Sequence, residues 1–288
     1  MSRNATKDLT TGSPMKLILG FGIPLLFGML FQQFYNMMDT IIVGKFLGVS
    51  ALASVGATGS INFMIIGFCM GVCNGFAIPV AQRFGAKDEH GMRKFVANSV
   101  WLSIIFAVVM AVLVCVFCRQ ILELMNTPED IIDGSYSYIF VIFLGIPATY
   151  MYNLLSGIMR SLGDSKTPLY LLIFSSILNI ILDLLSIIVL KMGVAGAAWA
   201  TVIAQAVSGF CCLGVIWKKF PILHVQREEW QPDKLCILNL CNMGIPMGLQ
   251  YSITAIGSVI IQAAVNSLGS VAVASVAAAV KINMFLCC

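Results

Sequence analysis

The chain has 288 residues, of which 59% are hydrophobic and only 10% are charged. A soluble domain carries about 25% charged residues, so this composition excludes an ordinary soluble protein and a disordered one. The net charge of +4 on such a long chain also argues against a nucleic-acid-binding protein. The composition indicates a polytopic membrane protein, in which each helix needs about 20 mainly apolar residues to cross the bilayer.

Eight apolar runs predict eight membrane spans, and the fold class is therefore expected to be all-α. The runs fall at 16–44, 55–83, 94–118, 135–157, 168–190, 194–217, 237–266 and 271–288. The first run is too long for the core of a signal peptide, and no small-residue cleavage site follows it. We therefore expect it to remain as a span that opens with Ser13 as N-cap and Pro14 in the first helical turn.

The loops between these runs alternate in positive charge. Thirteen basic residues fall in loops on one side, whereas the opposite side has only Lys45, Arg119 and Lys191. The thirteen are Arg3, Lys7, Lys16, Arg83, Lys87, Arg93, Lys94, Arg160, Lys166, Lys218, Lys219, Arg227 and Lys234. Cytoplasmic loops carry an excess of lysine and arginine, so we expect a multi-pass protein of the plasma (inner) membrane with a cytoplasmic N-terminus.

The sequence contains an internal repeat. Gly22-Ile23-Pro24 recurs as Gly244-Ile245-Pro246, and residues 47–63 match residues 268–284 at nine of seventeen positions. Both copies begin at an odd-numbered span, so they run in the same direction across the membrane. Parallel repeats of this kind are related by an axis along the membrane normal and have binding sites near the bilayer midplane.

The repeat period of six spans predicts the domain organisation. A complete second half would bring the total to twelve spans, and the chain stops within span eight. We expect a complete N-terminal six-helix lobe over residues 1–220 and a cytoplasmic inter-lobe linker over 221–236. Residues 237–288 are expected to form the first two helices of an incomplete C-terminal lobe.

Asp39 and Asp183 are the only acidic residues within the apolar spans. A charge at the bilayer centre costs on the order of 2.5–3.5 kcal/mol on insertion scales, so these two residues need an explanation. Each shares a helical stripe with other polar residues, as does Thr201 with Gln205 in span six. At a rise of about 1.5 Å per residue, Asp39, Asp183 and Thr201 all fall in the outer half of the bilayer, where they could meet.

Such a site has two chemical interpretations and one structural alternative. A carboxylate there could bind and release a proton, while carboxylate, amide and hydroxyl oxygens suit a hard cation such as sodium. Alternatively, the polar residues only join helices by hydrogen bonds, with no role in transport. No cysteine or histidine is assigned to a metal site, since the ten cysteines lie in or beside apolar runs, where a free cysteine packs as a small hydrophobe.

Three motifs resemble the multidrug and toxic compound extrusion (MATE) family. They are the Gly-Ile-Pro opening followed by Gln32, Gln33 and Asp39, the Ala-Gln-Arg-Phe-Gly loop at 81–85, and Arg-Ser-Leu-Gly-Asp-Ser-Lys-Thr-Pro at 160–168. The similarity covers nearly the whole chain. It implies a MATE-type fold of the MOP superfamily, with twelve spans in two six-helix lobes, of which this chain would be a truncated version. It also implies export of lipophilic, often cationic compounds in exchange for protons or sodium.

The resemblance, which is strongest to the DinF-like branch, implies roles for particular residues. The coupling cation would bind at Asp39, Asn179, Asp183 and Thr201. Pro24 would bend span one, as a proline inside a helix commonly does. We expect five polar residues to line the substrate cavity: Gln33, Asn36, Tyr152, Asn153 and Gln205.

Two other functions are alternatives to drug export. One is a flippase for lipid-linked oligosaccharides or cell-wall precursors from the same superfamily, whose cavity would be strongly cationic, whereas Lys281 is the only basic residue well inside a span. The other is an intramembrane aspartyl protease. Such an enzyme needs a Tyr-Asp motif and a Gly-x-Gly-Asp motif within the membrane, and this sequence has neither. We expect a monomeric transporter rather than an enzyme, with a proton or sodium as coupling ion, no other cofactor, and small lipophilic or cationic substrates.

Overall fold

The computed structural model describes residues 12–286, with the side chains of 281 and 284–286 excepted. Arg3, Lys7 and the last two cysteines, all considered above, lie outside the described residues, as does the Lys281 side chain. The α-helices of the described part are, in chain order, α1 Pro14–Leu47, α2 Val49–Gly85, α3 Glu89–Val116, α4 Cys118–Leu124, α5 Ile132–Leu144, α6 Ile146–Ser161, α7 Lys166–Leu184, α8 Gly193–Lys219, α9 Lys234–Asn266 and α10 Ser270–Leu286. This architecture confirms the all-α fold class.

Six of the described helices are long and apolar enough to cross a membrane on their own: α1, α2, α3, α7 with the turn that follows it, α8 and α9. The pair α5 and α6 makes a seventh candidate span, broken by a bend of 47°. In α10 the apolar stretch is shorter, Ser270–Val280. The seven candidates match the first seven apolar runs. Ser13 occupies the N-cap position of α1 without a side-chain capping hydrogen bond, and Pro14 lies in the first turn, as expected.

The bend in span four occurs where α5 meets α6. Gly145 stands at the junction, and Pro147 occupies the first turn of α6, where its missing N–H is not needed. A Cβ at Gly145 would lie 2.3 Å from a methyl group of Val202 in α8. Only glycine therefore allows α8 to pack this closely against the bend.

The two sequence repeats have the same backbone conformation at their first interhelical turn. Gly48 separates α1 from α2 with φ of +87°, and Gly269 lies just before α10 with φ of +91°. These glycines occupy equivalent positions in the matching segments 47–63 and 268–284. Residues other than glycine rarely adopt positive φ, so the glycine shared by the two copies meets the same backbone requirement at both turns.

The second repeat packs on the first mainly through α2 and α9. Gly71 and Gly75 of α2 face Gly244 and Gly248 of α9, and a Cβ added at Gly75 would lie 2.5 Å from the Gly244 Cα. Small residues let two membrane helices approach until their backbones touch. The Gly-Ile-Pro motif of α9 thus forms part of a backbone-to-backbone contact with α2.

A second contact between the repeats lies at the opposite end of α2. The amide of Asn266, at the end of α9, donates to the Met125 carbonyl at 3.0 Å. Ala53 and Ala57 of α2 pack there against Val273 and other apolar residues of α10. The two helices of the second repeat therefore contact the first repeat at both ends of α2.

Candidate functional site: a polar cluster between α1, α7 and α8

Four of the polar residues singled out from the sequence are close together between α1, α7 and α8. Asn179 and Asp183 lie one turn apart on α7, and both are fully buried. Asp39 comes from the last third of α1 and Thr201 from the third turn of α8. The Gly28 position of α1 faces Leu169 and Leu172 at about 4 Å, so α1 and α7 pack closely along the same face.

Asn179 links Asp183 to α8. Its amide nitrogen is oriented to donate to the Asp183 Oδ2 at 2.9 Å, and its amide oxygen faces the Thr201 backbone N–H at 3.2 Å. The same oxygen lies 3.3 Å from the Thr201 hydroxyl. Because a buried amide is costly unless its hydrogen bonds are made, these contacts fix the orientation of the Asn179 side chain.

The two membrane carboxyl groups lie near each other. The side chains of Asp183 and Asp39 are close enough to interact electrostatically. Asp183 has no exposed surface, and its Oδ1 has no hydrogen-bond partner in the described structure. Two adjacent carboxylates repel each other unless a proton or a cation lies between them, so this pair has the chemistry of a cation-binding site.

Sequence reasoning missed two tyrosines beside this cluster. The Tyr35 hydroxyl donates to the Thr201 Oγ1 at 3.3 Å. Tyr138 of α5 is buried and lies close enough to Asp39 and Asp183 to interact with them electrostatically. Tyr35 lies one helical turn before Asp39, which is a sequence signal for a shared face, whereas nothing local to Tyr138 indicates it.

A short π-helical turn, Leu185–Val189, directly follows the cluster on α7. Within it the Ser186 hydroxyl donates to the Asp183 carbonyl at 3.2 Å. A Cβ at Gly196 of α8 would lie 3.1 Å from the Ser186 side chain, so α8 packs directly against this turn. Single π-helical turns are frequent at functional sites, and this one sets the position of Asp183 relative to α8.

The residues expected in the substrate cavity divide into two groups. Gln33 and Asn36 lie on α1 near the cluster and are joined by a hydrogen bond of 3.3 Å from the Asn36 amide. Gln205 lies one turn from Thr201 on α8, and its buried Oε1 has no hydrogen-bond partner in the described part of the chain. Asn36 lies three residues from Asp39 and Gln205 four residues from Thr201, so each of them shares a helix face with a member of the polar cluster.

The other two expected cavity residues belong to α6. The Asn153 amide donates to the Thr149 carbonyl of its own helix at 2.8 Å. Tyr152 is buried beside Ser156, Cys212 and Arg160, away from the cluster of aspartates. Pro24 lies inside α1, which continues through it as one helix, so a bend there stays a prediction.

The family model described as MatE matches residues 24–185, more than half of the chain. The chain belongs to the MATE family. Among curated proteins, it is 32% identical to the probable multidrug resistance protein YoeA of Bacillus subtilis, over 88% of this chain and 57% of that protein. It is 29% identical to the probable multidrug resistance protein YpnP of the same organism, over 97% of this chain and 62% of that protein.

Solved MATE structures match the fold of this chain. A structure described as the outward-facing conformation of a multidrug resistance MATE family transporter of the MOP superfamily has a TM-score of 0.80 at 27% identity. The match covers 87% of this MATE chain and 56% of that one. An inward-facing structure of such a transporter matches with a TM-score of 0.81 at 25% identity, over 93% of this chain and 61% of the other. The MATE-type fold expected from the sequence is confirmed.

Proposed function

We propose that this MATE chain takes part in cation-coupled export of small lipophilic or cationic drugs across the plasma membrane. The chain spans about three fifths of the length of the curated relatives described above, so the activity of a whole transporter is inferred from those relatives. Their names describe multidrug resistance proteins. This similarity favours drug export over the flippase alternative.

The proximity of Asp39 and Asp183, with Asn179 and Thr201 beside them, carries this proposal. The cluster supplies carboxylate, amide and hydroxyl oxygens, which is the donor set of a hard cation. The same carboxyl pair can hold a proton in place of sodium. Neutralising the pair would change how α1 packs against α7, because the repulsion between the two carboxylates is removed.

Coupling requires the cation and the drug to bind different conformations with different affinity. In our proposal, the cation enters from outside and binds the aspartate pair, and the lobe then releases the drug held near Gln33, Asn36 and Gln205. The two repeats then rock relative to each other so that the site opens to the cytoplasm. Sodium and proton are both retained as candidate coupling ions.

Two kinds of readout, cation binding and drug efflux, test this function. Sodium binding to the purified chain is measured by titration calorimetry, and proton uptake is measured by a pH indicator. Ethidium efflux is followed in loaded cells that receive an outside pulse of sodium or of acid. We expect Asp39→Asn and Asp183→Asn to abolish cation binding and pulse-driven efflux. The matched control is Asp133→Asn, whose side chain is 87% exposed, and we expect it to behave like the wild type.

The two readouts separate the parts of the proposal. If the wild-type chain binds neither ion, the aspartate cluster is a structural contact and the cation site is wrong. If an ion binds but no pulse drives efflux, the proposal that this chain exports ethidium is wrong, although the proposed cation site stands.

A further inference from the structure

The segment between the two repeats is bound to α3 by hydrogen bonds and an ion pair. Residues 226–233, here called the strap, contain the 3-10 turn Arg227–Trp230 and end at the N-cap of α9. The side chains that hold it come from one face of α3. These are His90, Arg93, Asn98 and Trp101.

Glu229 is the centre of this attachment and is only 1% exposed. Its two carboxylate oxygens each lie 2.9 Å from the Arg93 Nε, and Oε1 also lies 2.9 Å from the His90 Nδ1. The backbone N–H of Gln226 donates to Oε2 at 2.8 Å. Glu229 therefore fastens the strap to α3 and closes the 3-10 turn of the strap itself.

The charge on Glu229 is stabilised where it lies. Burial by itself raises the pKa of this carboxyl, but the Gln226 N–H, Arg93 and His90 outweigh burial and lower its pKa below the ordinary value. The titratable and charged groups around it are His90 and Arg93 of α3, with Glu89 bound to the far side of Arg93 at 3.6 Å. Glu229 is therefore ionised at neutral pH, and its ion pair with Arg93 persists.

The far end of the strap is attached to both repeats through a single residue. The Asp233 backbone N–H donates to the Oδ1 of Asn98 at 3.0 Å, and Asn98 is buried in the first repeat. The Asp233 side chain accepts the N–H groups of Leu235 and Cys236 at 2.8 and 3.3 Å, which caps α9. Between these points the Trp101 indole donates to the Trp230 carbonyl at 3.1 Å.

We propose that the strap is a fixed part of the first repeat and that Asp233 is the pivot about which α9 turns during transport. The sequence suggested a linker over 221–236, and a linker is ordinarily the flexible part of a two-lobe protein. Here Glu229 clamps the strap, so the change in backbone direction is confined to Asp233 and the first turn of α9. Asn98 and Glu229 are then positioning residues, and this role rests on the proposed transport function.

Hydrogen exchange of the purified 288-residue chain tests the clamp without requiring transport. We expect slow exchange at the backbone amides of the strap in the wild type. Glu229→Gln should raise exchange over 226–233 by at least tenfold and leave the middle of α3 unchanged. Glu228→Gln is the matched control, because Glu228 is the exposed neighbour, and it should exchange like the wild type. Strap amides that exchange at the rate of an unstructured peptide in the wild type would overturn the proposal.

A second variant covers the case in which Glu229→Gln does not fold. Asn98→Leu keeps the size of the side chain but removes the acceptor for the Asp233 N–H. We expect faster exchange at Asp233 only, with the Gln226 and Glu229 amides still slow. Equal acceleration over the whole strap would contradict a pivot at one residue.

Spin-label distances test the pivot during the transport movement. Labels are carried by introduced unnatural side chains, because the chain has ten cysteines of its own. The exposed positions are 228 in the strap, 166 at the start of α7 and 253 in α9. When sodium or acid is added, we expect the distance from 228 to 253 to shift and that from 228 to 166 to stay unchanged. A shift between 228 and 166 would show that the strap moves relative to the first repeat.

Discussion

At the residue scale, the site depends on which polar atoms form hydrogen bonds with each other. Tyr35 shows that these partners cannot be inferred from spacing along the sequence. Tyr35 is one turn from Asp39 on α1, yet its hydroxyl bonds to Thr201, which is 166 residues away. Thr201 in turn donates to the Ala197 carbonyl of its own helix at 3.1 Å. The hydroxyl of Tyr35 therefore helps to hold the α8 side of the polar cluster in place.

We predict that Tyr35→Phe weakens sodium or proton binding about twofold to tenfold, because one hydrogen bond contributes about 0.5–1.5 kcal/mol net. Titration calorimetry on the purified chain measures this change. The control is Tyr170→Phe, in which the altered side chain is largely exposed on α7. Equal affinities for Tyr35→Phe and the wild type would place Tyr35 outside the site.

At the scale of helices, glycine decides where two spans can touch. Gly71 and Gly75 of α2 face the backbone of α9, so this contact has no room for a side chain at Gly75. Gly59, on the same helix, has nothing within 4 Å of where its Cβ would be. A side chain in place of glycine would therefore clash with α9 at one position of α2 and find open space at the other.

We expect Gly75→Ala to destabilise the chain by about 1–3 kcal/mol, the usual cost of overpacking. The added methyl must push α9 away from α2, since it would meet backbone rather than a flexible side chain. Thermal unfolding in detergent measures the effect as a lower midpoint. Gly59→Ala should not lower the midpoint, because alanine is favoured over glycine within a helix. A midpoint for Gly75→Ala equal to that of Gly59→Ala would argue against the close contact.

At the scale of the whole molecule, the strap and the loop before α5 are expected on opposite sides of the membrane. The strap joins α8 to α9, and the loop around Asp130 joins α4 to α5. Counting candidate spans from the N-terminus, three precede the loop and six precede the strap, with α5 and α6 taken as one. The excess of basic residues in the loops on the strap's side predicts that this side is cytoplasmic.

We predict that an impermeant maleimide labels Asp130→Cys in intact cells and labels Glu228→Cys only after the membrane is permeabilised. Both positions are exposed in the structure, so access depends on the side of the membrane. The parent chain is the control for labelling of its native cysteines. The reverse pattern would invert the proposed orientation.

The sequence by itself determined the all-α class, the approximate spans, the repeat and the MATE family. These properties depend on short stretches of sequence. The free energy of placing a helix in lipid, for example, is a sum over about 20 consecutive residues. The sequence also identified Asp39, Asn179, Asp183 and Thr201, because polar groups in lipid are costly and therefore conspicuous. Their role in cation binding stays a prediction.

The tertiary structure alone decided which of these residues touch and what surrounds them. The rotation of each helix about its axis and the depth of its packing depend on contacts between distant segments, such as Gly145 with Val202 or Gly75 with Gly244. The 47° bend, the π-helical turn after Asp183 and the buried position of Tyr138 follow from that packing. The ion pair of Glu229 with Arg93 joins residues 136 positions apart. No local pattern encodes such a pairing, because its energy exists only once α3 and the strap are in place.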